Sequence, residues 1–257
     1  MTDTFDTTKY SGLDKYSETT QTKEPGLFNS CFITGIARDM QEAGKLQIMT
    51  DFDNNKYLVN NGLNVNFIPF FITRFREKTI KNAQGFVSAE CFSWSGENGA
   101  IATSGRACPS SNERNNGYCD TCKFTYLIAG IYLDDKFQMV KVPKNIAKPE
   151  AGEIPALIYF KCQGVKFGAA MDFTSLLAKK AADLKPISDN PEFEKRVIAP
   201  KRFVCSCGVG QTDTRFGTKF TFQFDTVKAL PEDQVRTILD KANDLVPEFE
   251  RQFDKSQ

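Results

Sequence analysis

Four cysteines carry the one spacing in this chain that points to a definite chemistry. Cys119 and Cys122 form a C-x2-C knuckle, a short turn able to aim two thiolates at one point, and Cys91 and Cys108 lie upstream at separations that loops can close. Together the four would complete a tetrahedral, all-cysteine site for structural zinc. The stretch between them is small, polar and turn-forming (Ser95, Gly96, Asn98, Gly99, Ser104, Gly105, Pro109, Ser110, Ser111). It has too little apolar surface to fix its own shape, which a metal would do instead. The alternative is a redox dithiol. That motif opens a helix after a strand, whereas Cys122 leads into the strand-like run Lys123-Phe124-Thr125-Tyr126-Leu127-Ile128. The chain has no histidine, and catalytic zinc sites combine His or acidic ligands with an open position, so a closed structural site is favoured. The zinc deaminase signature needs a Glu two residues after the first ligand; Cys91 is followed by Phe92 and Ser93.

The elements that must position this loop read as mainly β. After Leu27, runs over Phe28 to Ile36, Leu46 to Asp51 and Lys56 to Val59 alternate and are set off by Asn-rich turns. Leu63 to Arg76 opens with clean alternation and is interrupted by Pro69, which implies a bulge, an edge or a bend. Gly85 to Trp94 is a further strand carrying Cys91 near its end. Cys122 to Leu133 and Phe137 to Val142 form a hairpin around Asp134-Asp135-Lys136. Ile154 to Phe167 follows a short linker. A helix is expected over Asp172 to Leu184, with Asp172 at its N-cap, and two last strands over Lys201 to Val209 and Thr218 to Leu230.

Residues 1–25 are rich in Thr, Ser and charge and read as a flexible N-terminal arm, with Phe5, Tyr10 and Tyr16 free to dock on a neighbouring subunit. Residues 26–230 form the β domain with its zinc loop over 91–122. Residues 231–257 make a C-terminal amphipathic helical segment, its stripe running through Val235, Ile238, Leu239, Leu245, Val246, Phe249 and Phe253, with Pro247 opening a second helical piece. Many short strands, one internal helix before the last pair and a terminal helix predict an OB-fold-like Greek-key barrel, with a β-sandwich as the alternative.

Composition sets outer limits. At 257 residues and 40% apolar content the chain can build a sizeable core. Lys and Arg total 33 against 32 acidic residues, a net charge of +1, so any polyanion site must come from a local patch. No run reaches the roughly 18 apolar residues that span a bilayer, and the N-terminus lacks a signal pattern, so no membrane association and a cytoplasmic protein are expected. Of the eight cysteines, Cys31, Cys162, Cys205 and Cys207 fall in apolar, strand-like contexts and read as buried free thiols. Cys205 and Cys207 share a strand face, which leaves a second metal site conceivable.

Binding a single strand takes cations that follow the phosphates and flat rings on which bases stack, each stack being worth about 1 to 3 kcal/mol. The chain has 23 Phe against a single Trp, and two segments set Phe beside Lys or Arg. The first holds Arg74, Phe75, Arg76 and Lys78; the second holds Lys201 and Arg202, then Arg215, Phe216 and Lys219. Strand alternation sends Arg74 and Arg76 to one face and Phe75 to the other, so most Phe residues belong to the core. Trp94 in the glycine-rich lip of the cysteine loop and Tyr126 are further stacking candidates, and Arg106 and Lys123 add charge beside them.

The chain's layout resembles the phage-type single-stranded DNA-binding proteins, among them the T-even helix-destabilising type, in which a zinc-stabilised loop is inserted into an oligonucleotide-binding barrel. The resemblance rests on Cys119-Asp120-Thr121-Cys122-Lys123-Phe124 feeding a strand, on P-A-L-I-Y-F-K, a short helix, and the final G-T-K-F-T-F-Q-F hairpin. It implies a non-enzymatic, largely sequence-independent binder of single-stranded DNA in replication or recombination, in a host cytoplasm, with replication or recombination proteins as partners. Two features depart from that type: its zinc ligands include a His, and its acidic C-terminal tail is replaced here by the mixed E-F-E-R-Q-F-D-K-S-Q. The rival reading is a structural or interaction protein, a virion or packaged component, using the loop and the terminal helix for protein contacts. No Walker loop, nucleophile elbow or compact carboxylate cluster points to an enzyme.

Overall fold

The computed structural model describes residues 5–15, 30–33, 46–49, 58–59, 64–81, 87–93, 123–143, 150 and 152–254. Among them, nine strands form one sheet. They are β1 (Ser30–Ile33), β2 (Leu46–Met49), β3 (Leu58–Val59), β4 (Val65–Lys81), β5 (Val87–Ser93), β6 (Lys123–Leu133), β9 (Leu157–Gln163), β10 (Phe203–Thr214) and β11 (Gly217–Ala229). Their order is β11-β10-β4-β6-β9-β1-β2-β3, with β5 also on β4. The first five strands in this order are antiparallel; β1 joins β9 in parallel. Two short strands, β7 (Lys141–Pro143) and β8 (Glu153–Pro155), pair separately.

Helices cover both faces, so the fold is mixed α/β rather than mainly β. α2 (Val165–Ala182) lies on one face and buries Ala170, Phe173 and Leu177. On the other lie α1 (Ser11–Lys15), a short α3 (Pro191–Phe193) that continues as a π turn over Glu194–Ile198 and a 3-10 turn over Ala199–Arg202, and α4 (Glu232–Asp254). β9 shows why two covers are needed. Leu157 and Tyr159 enter one core, Ile158, Phe160 and Cys162 the other, as the two-residue period of a strand requires.

The sheet is strongly curled. β11 and β9 are separated by four strand spacings, about 19 Å if the sheet were flat. Yet the rings of Phe222 and Phe160 are 5.7 Å apart, and Phe224 reaches Phe67, Phe160 and Phe173 at 6.3, 5.3 and 4.8 Å. β11 thus folds back over α2 until it touches β1. Among the described residues no hydrogen-bonded ladder joins those two strands, so in place of the expected Greek-key barrel there is a curled open sheet with α2 and a phenylalanine cluster inside the curl. Gly130 makes room for this cluster: a Cβ there would lie 2.5 Å from the Phe67 ring.

Other expectations meet mixed outcomes. Pro69 does mark a bulge, between Pro69 and Phe71 in the pairing with β6. The turn at Asp134 forms, its carboxylate accepting from the Lys136 and Gln138 amides, but the return strand is reduced to a bridge between Leu133 and Met139. α2 starts at Val165, seven residues before the expected Asp172 cap. α4 runs through Pro247 without breaking. Pro247 is on the exposed side, where water can serve the carbonyl it leaves free. Residues 5–15 of the expected flexible arm are packed on their own chain. Phe5, Tyr10 and Leu13 are buried with Val246 and Phe193, and Tyr10 and Lys9 both donate to Asp240 of α4.

Candidate nucleic-acid interface

β4 organises the candidate site because its two halves have different neighbours. Its first half lies between β10 and β6, its second between β5 and β6. The second half carries Arg74, Phe75, Arg76 and Lys78. Arg74 is exposed and pairs with Tyr126 of β6, which places the two side chains on one face. Arg76 lies opposite Phe124 and Ser93, Phe75 opposite Thr125, and Lys78 opposite Cys91.

Tyr126 is half-buried, its ring 4.8 Å from that of Phe167 in the first turn of α2. Beside Phe167, Lys166 holds its ammonium 5.0 Å from the Phe222 ring, and Thr221 of β11 donates to the Val165 carbonyl at 3.4 Å. Burial pushes the Lys166 pKa down; Cys162 and Cys207 nearby oppose that shift. The N-cap of α2, Gly164, provides no side-chain cap. Contacts therefore run continuously from Arg74 through Tyr126, Phe167 and Lys166 to the β10–β11 hairpin. The two basic-aromatic segments, far apart in sequence, are joined by the start of α2. Lys166 and Phe167 were not among the sequence candidates. The local signal was a Gly between a strand run and K-F-G, a strand-to-helix junction that places both residues in the first turn.

The hairpin contributes its tip. β10 pairs with β4 only over Cys205 to Cys207 and continues to Thr214 with β11 as its partner. Arg215 and Phe216 form the two-residue turn and Gly217 takes the positive φ of 96° that follows it. Phe216 is 74% exposed, with the Arg215 guanidinium 4.7 Å from its ring, and Lys219 is exposed.

Lys201 and Arg202 are a correction to the sequence reading. Both are buried, where the π turn and 3-10 turn precede β10. Lys201 Nζ donates to the Val197 carbonyl at 2.9 Å and lies 5.9 Å from the Phe70 ring; burial lowers its pKa to about 7. Arg202 donates to Glu194 Oε1 at 2.8 Å and to the Lys185 carbonyl at 2.7 Å. Neither can meet a phosphate, because each is already committed to interior partners.

The cysteine loop departs from β5 at Ser93 and re-enters the sheet at Lys123, the residue after Cys122. These two stems flank β4 on opposite sides at adjoining register positions, Ser93 opposite Arg76 and Lys123 opposite Glu77. Two strand spacings, about 10 Å, separate them. Cys91 lies in β5; Cys108, Cys119 and Cys122, with Trp94 and Arg106, fall outside the described residues. Among the described residues no group of three metal-ligating side chains converges. Cys162 and Cys205 are buried free thiols, as expected, and Cys207 is buried beside them. Burial pushes the thiols of Cys162 and Cys205 well above their ordinary range, which keeps them protonated.

No helix among the described residues is long and apolar enough to cross a membrane. No protein-family model, curated protein or solved structure matches this chain.

Proposed function

We propose that this chain is a non-enzymatic, largely sequence-independent single-stranded DNA-binding protein of replication or recombination, of the phage type that its layout resembles. The observation that supports this most is the track of cations and rings from Arg74 and Tyr126, across Phe167 and Lys166, to the β10–β11 hairpin, whose tip carries Arg215, Phe216 and Lys219. A polynucleotide laid along it meets phosphate partners and stacking surfaces in alternation, the combination that single-strand recognition needs. The uncapped first turn of α2 adds backbone N–H groups of the polarity that favours phosphate. Arg76 and Lys78 occupy the same register face of β4 as Arg74 and extend the track toward the cysteine loop, where Trp94 and Arg106 would add to it; Phe75 and Lys123 occupy register positions of the other face.

In this reading Cys91, Cys108, Cys119 and Cys122 hold zinc, which shapes the loop beside β4 and takes no part in a reaction. The rival role as a protein-contact component assigned the apolar stripe of the terminal helix to partners. Among the described side chains that stripe packs into the chain's own core, through Val235, Ile238, Leu239, Ala242, Leu245 and Val246. Titration of oligo-dT against the fluorescence of Trp94 at two salt concentrations tests the reading. Affinity should fall steeply as salt rises; an affinity indifferent to salt would contradict it.

A further inference from the structure

We infer that the β10–β11 hairpin tip is a wedge: Phe216 enters a base step where single strand meets duplex, while Arg215 and Lys219 contact the flanking phosphates. The inference rests on the proposed nucleic-acid binding and adds to it a place on the DNA. Thr221 is tied to the Val165 carbonyl, and Phe220, one residue nearer the tip, still packs on the cluster around α2. Beyond Phe220 and its partner Gln211 the two strands, among the described residues, pair only with each other up to the Arg215-Phe216 turn, a projection of about 10 Å. The tip is also stiff. The Thr214 hydroxyl accepts from the Phe216 amide at 3.2 Å and donates to the Gly217 carbonyl at 2.7 Å, and Thr218 donates to Asp213 at 2.8 Å.

A large ring held in water on a stiff projection gives up the burial that a Phe ordinarily gains. Only one side of it faces the Arg215 guanidinium, leaving the other for a flat apolar partner. Apolar side chains driven between base steps unstack them, and the step next to a single strand resists least. Arg215 and Lys219 outnumber Asp213 at the tip, and Asp213 is bonded to Thr218, so the local charge suits phosphates rather than an acidic protein surface.

The test uses the full chain with a forked duplex carrying 2-aminopurine at its first paired position, at protein concentrations that saturate the fork by anisotropy. Wild-type protein should raise the fluorescence as the base unstacks. Phe216→Ser should lose that rise when equally saturated, and Phe216→Leu, which keeps an apolar wedge, should retain it. An equal rise with Phe216→Ser, or none with wild type on a saturated fork, overturns the wedge and leaves single-strand binding standing. Failure of wild type to bind oligo-dT at all overturns both. A change in sedimentation of Phe216→Ser without DNA would show that the tip docks on a second copy of the chain, and also overturns the wedge.

Discussion

Arg202 and Glu194 form an ion pair at 2.8 Å whose side chains are only 8% and 13% exposed. The second Glu194 oxygen accepts from the Ile187 and Ser188 amides at 3.0 Å each, so the pair fixes the connection between α2 and β10. Removing one member leaves a buried charge without its partner, which costs about 3 to 5 kcal/mol. Arg202→Ala and Glu194→Ala should each lower the urea midpoint accordingly. Because Arg202 faces inward, the salt dependence of oligo-dT binding by folded Arg202→Ala should equal that of wild type.

Lys201 gives the same region a pH dependence. Its pKa is lowered by burial from 10.5 to about 7, so between those values the unfolded chain binds the extra proton. Stability contributed by this group therefore rises with pH from about 7 to 10.5, and the full penalty is present below 7. Lys201→Met fills similar space without a charge. It should be more stable than wild type at pH 6, by an amount on the order of a few kcal/mol, and the gap should close as pH approaches 10. Urea unfolding of both proteins across pH 6 to 10 reads this directly.

How much of this was legible in the sequence depended on the range of the interactions. Local chemistry was readable: Pro69 as a bulge, Asp134 as a turn, Thr218 to Leu230 as the last strand, and the stripe of α4. The mixed class was encoded too, in Leu157-Ile158-Tyr159-Phe160, since an apolar run without alternation means both faces are covered. What stayed hidden was set by distant partners. Lys201 and Arg202 look like a surface pair beside Phe203, and nothing nearby announces that Glu194 and Val197 take them inward. Phe5, Tyr10 and Leu13 lie in a polar composition that reads as unfolded; Asp240 and Val246, more than two hundred residues away, supply their partners. The Lys166 and Phe167 link was missed because the strand-like run was carried through to Phe167 and the Asp172 cap signal argued for a later helix start.

The track itself makes a graded prediction. Each cation that neutralises a phosphate on a single strand adds about 0.7 to the slope of log affinity against log salt. Arg74→Ala and Lys219→Ala, both at exposed positions, should each weaken oligo-dT binding and reduce that slope by about 0.7, and the double variant by about twice that. Lys179→Ala, exposed near the other end of α2, should leave the slope unchanged. Fluorescence titrations over a salt series distinguish these outcomes; equal slopes for all four proteins would remove the track from the interface.

The proposed zinc site would divide the cysteines into two groups. A thiol must lose its proton to bind the metal, and burial holds Cys162 and Cys205 protonated, whereas Cys91 leads into the turn-rich loop. Purified protein should carry stoichiometric zinc by atomic absorption. Cys119→Ser and Cys122→Ser should lose most of it; Cys162→Ala and Cys205→Ala should keep it, at a cost of about 1 kcal/mol in packing. If the loop holds its place beside β4 only through the metal, chelation should quench or shift Trp94 emission and weaken oligo-dT binding while the far-ultraviolet circular dichroism of the sheet and helices persists. Full zinc content in Cys119→Ser together with Cys122→Ser would dismiss the four-cysteine site.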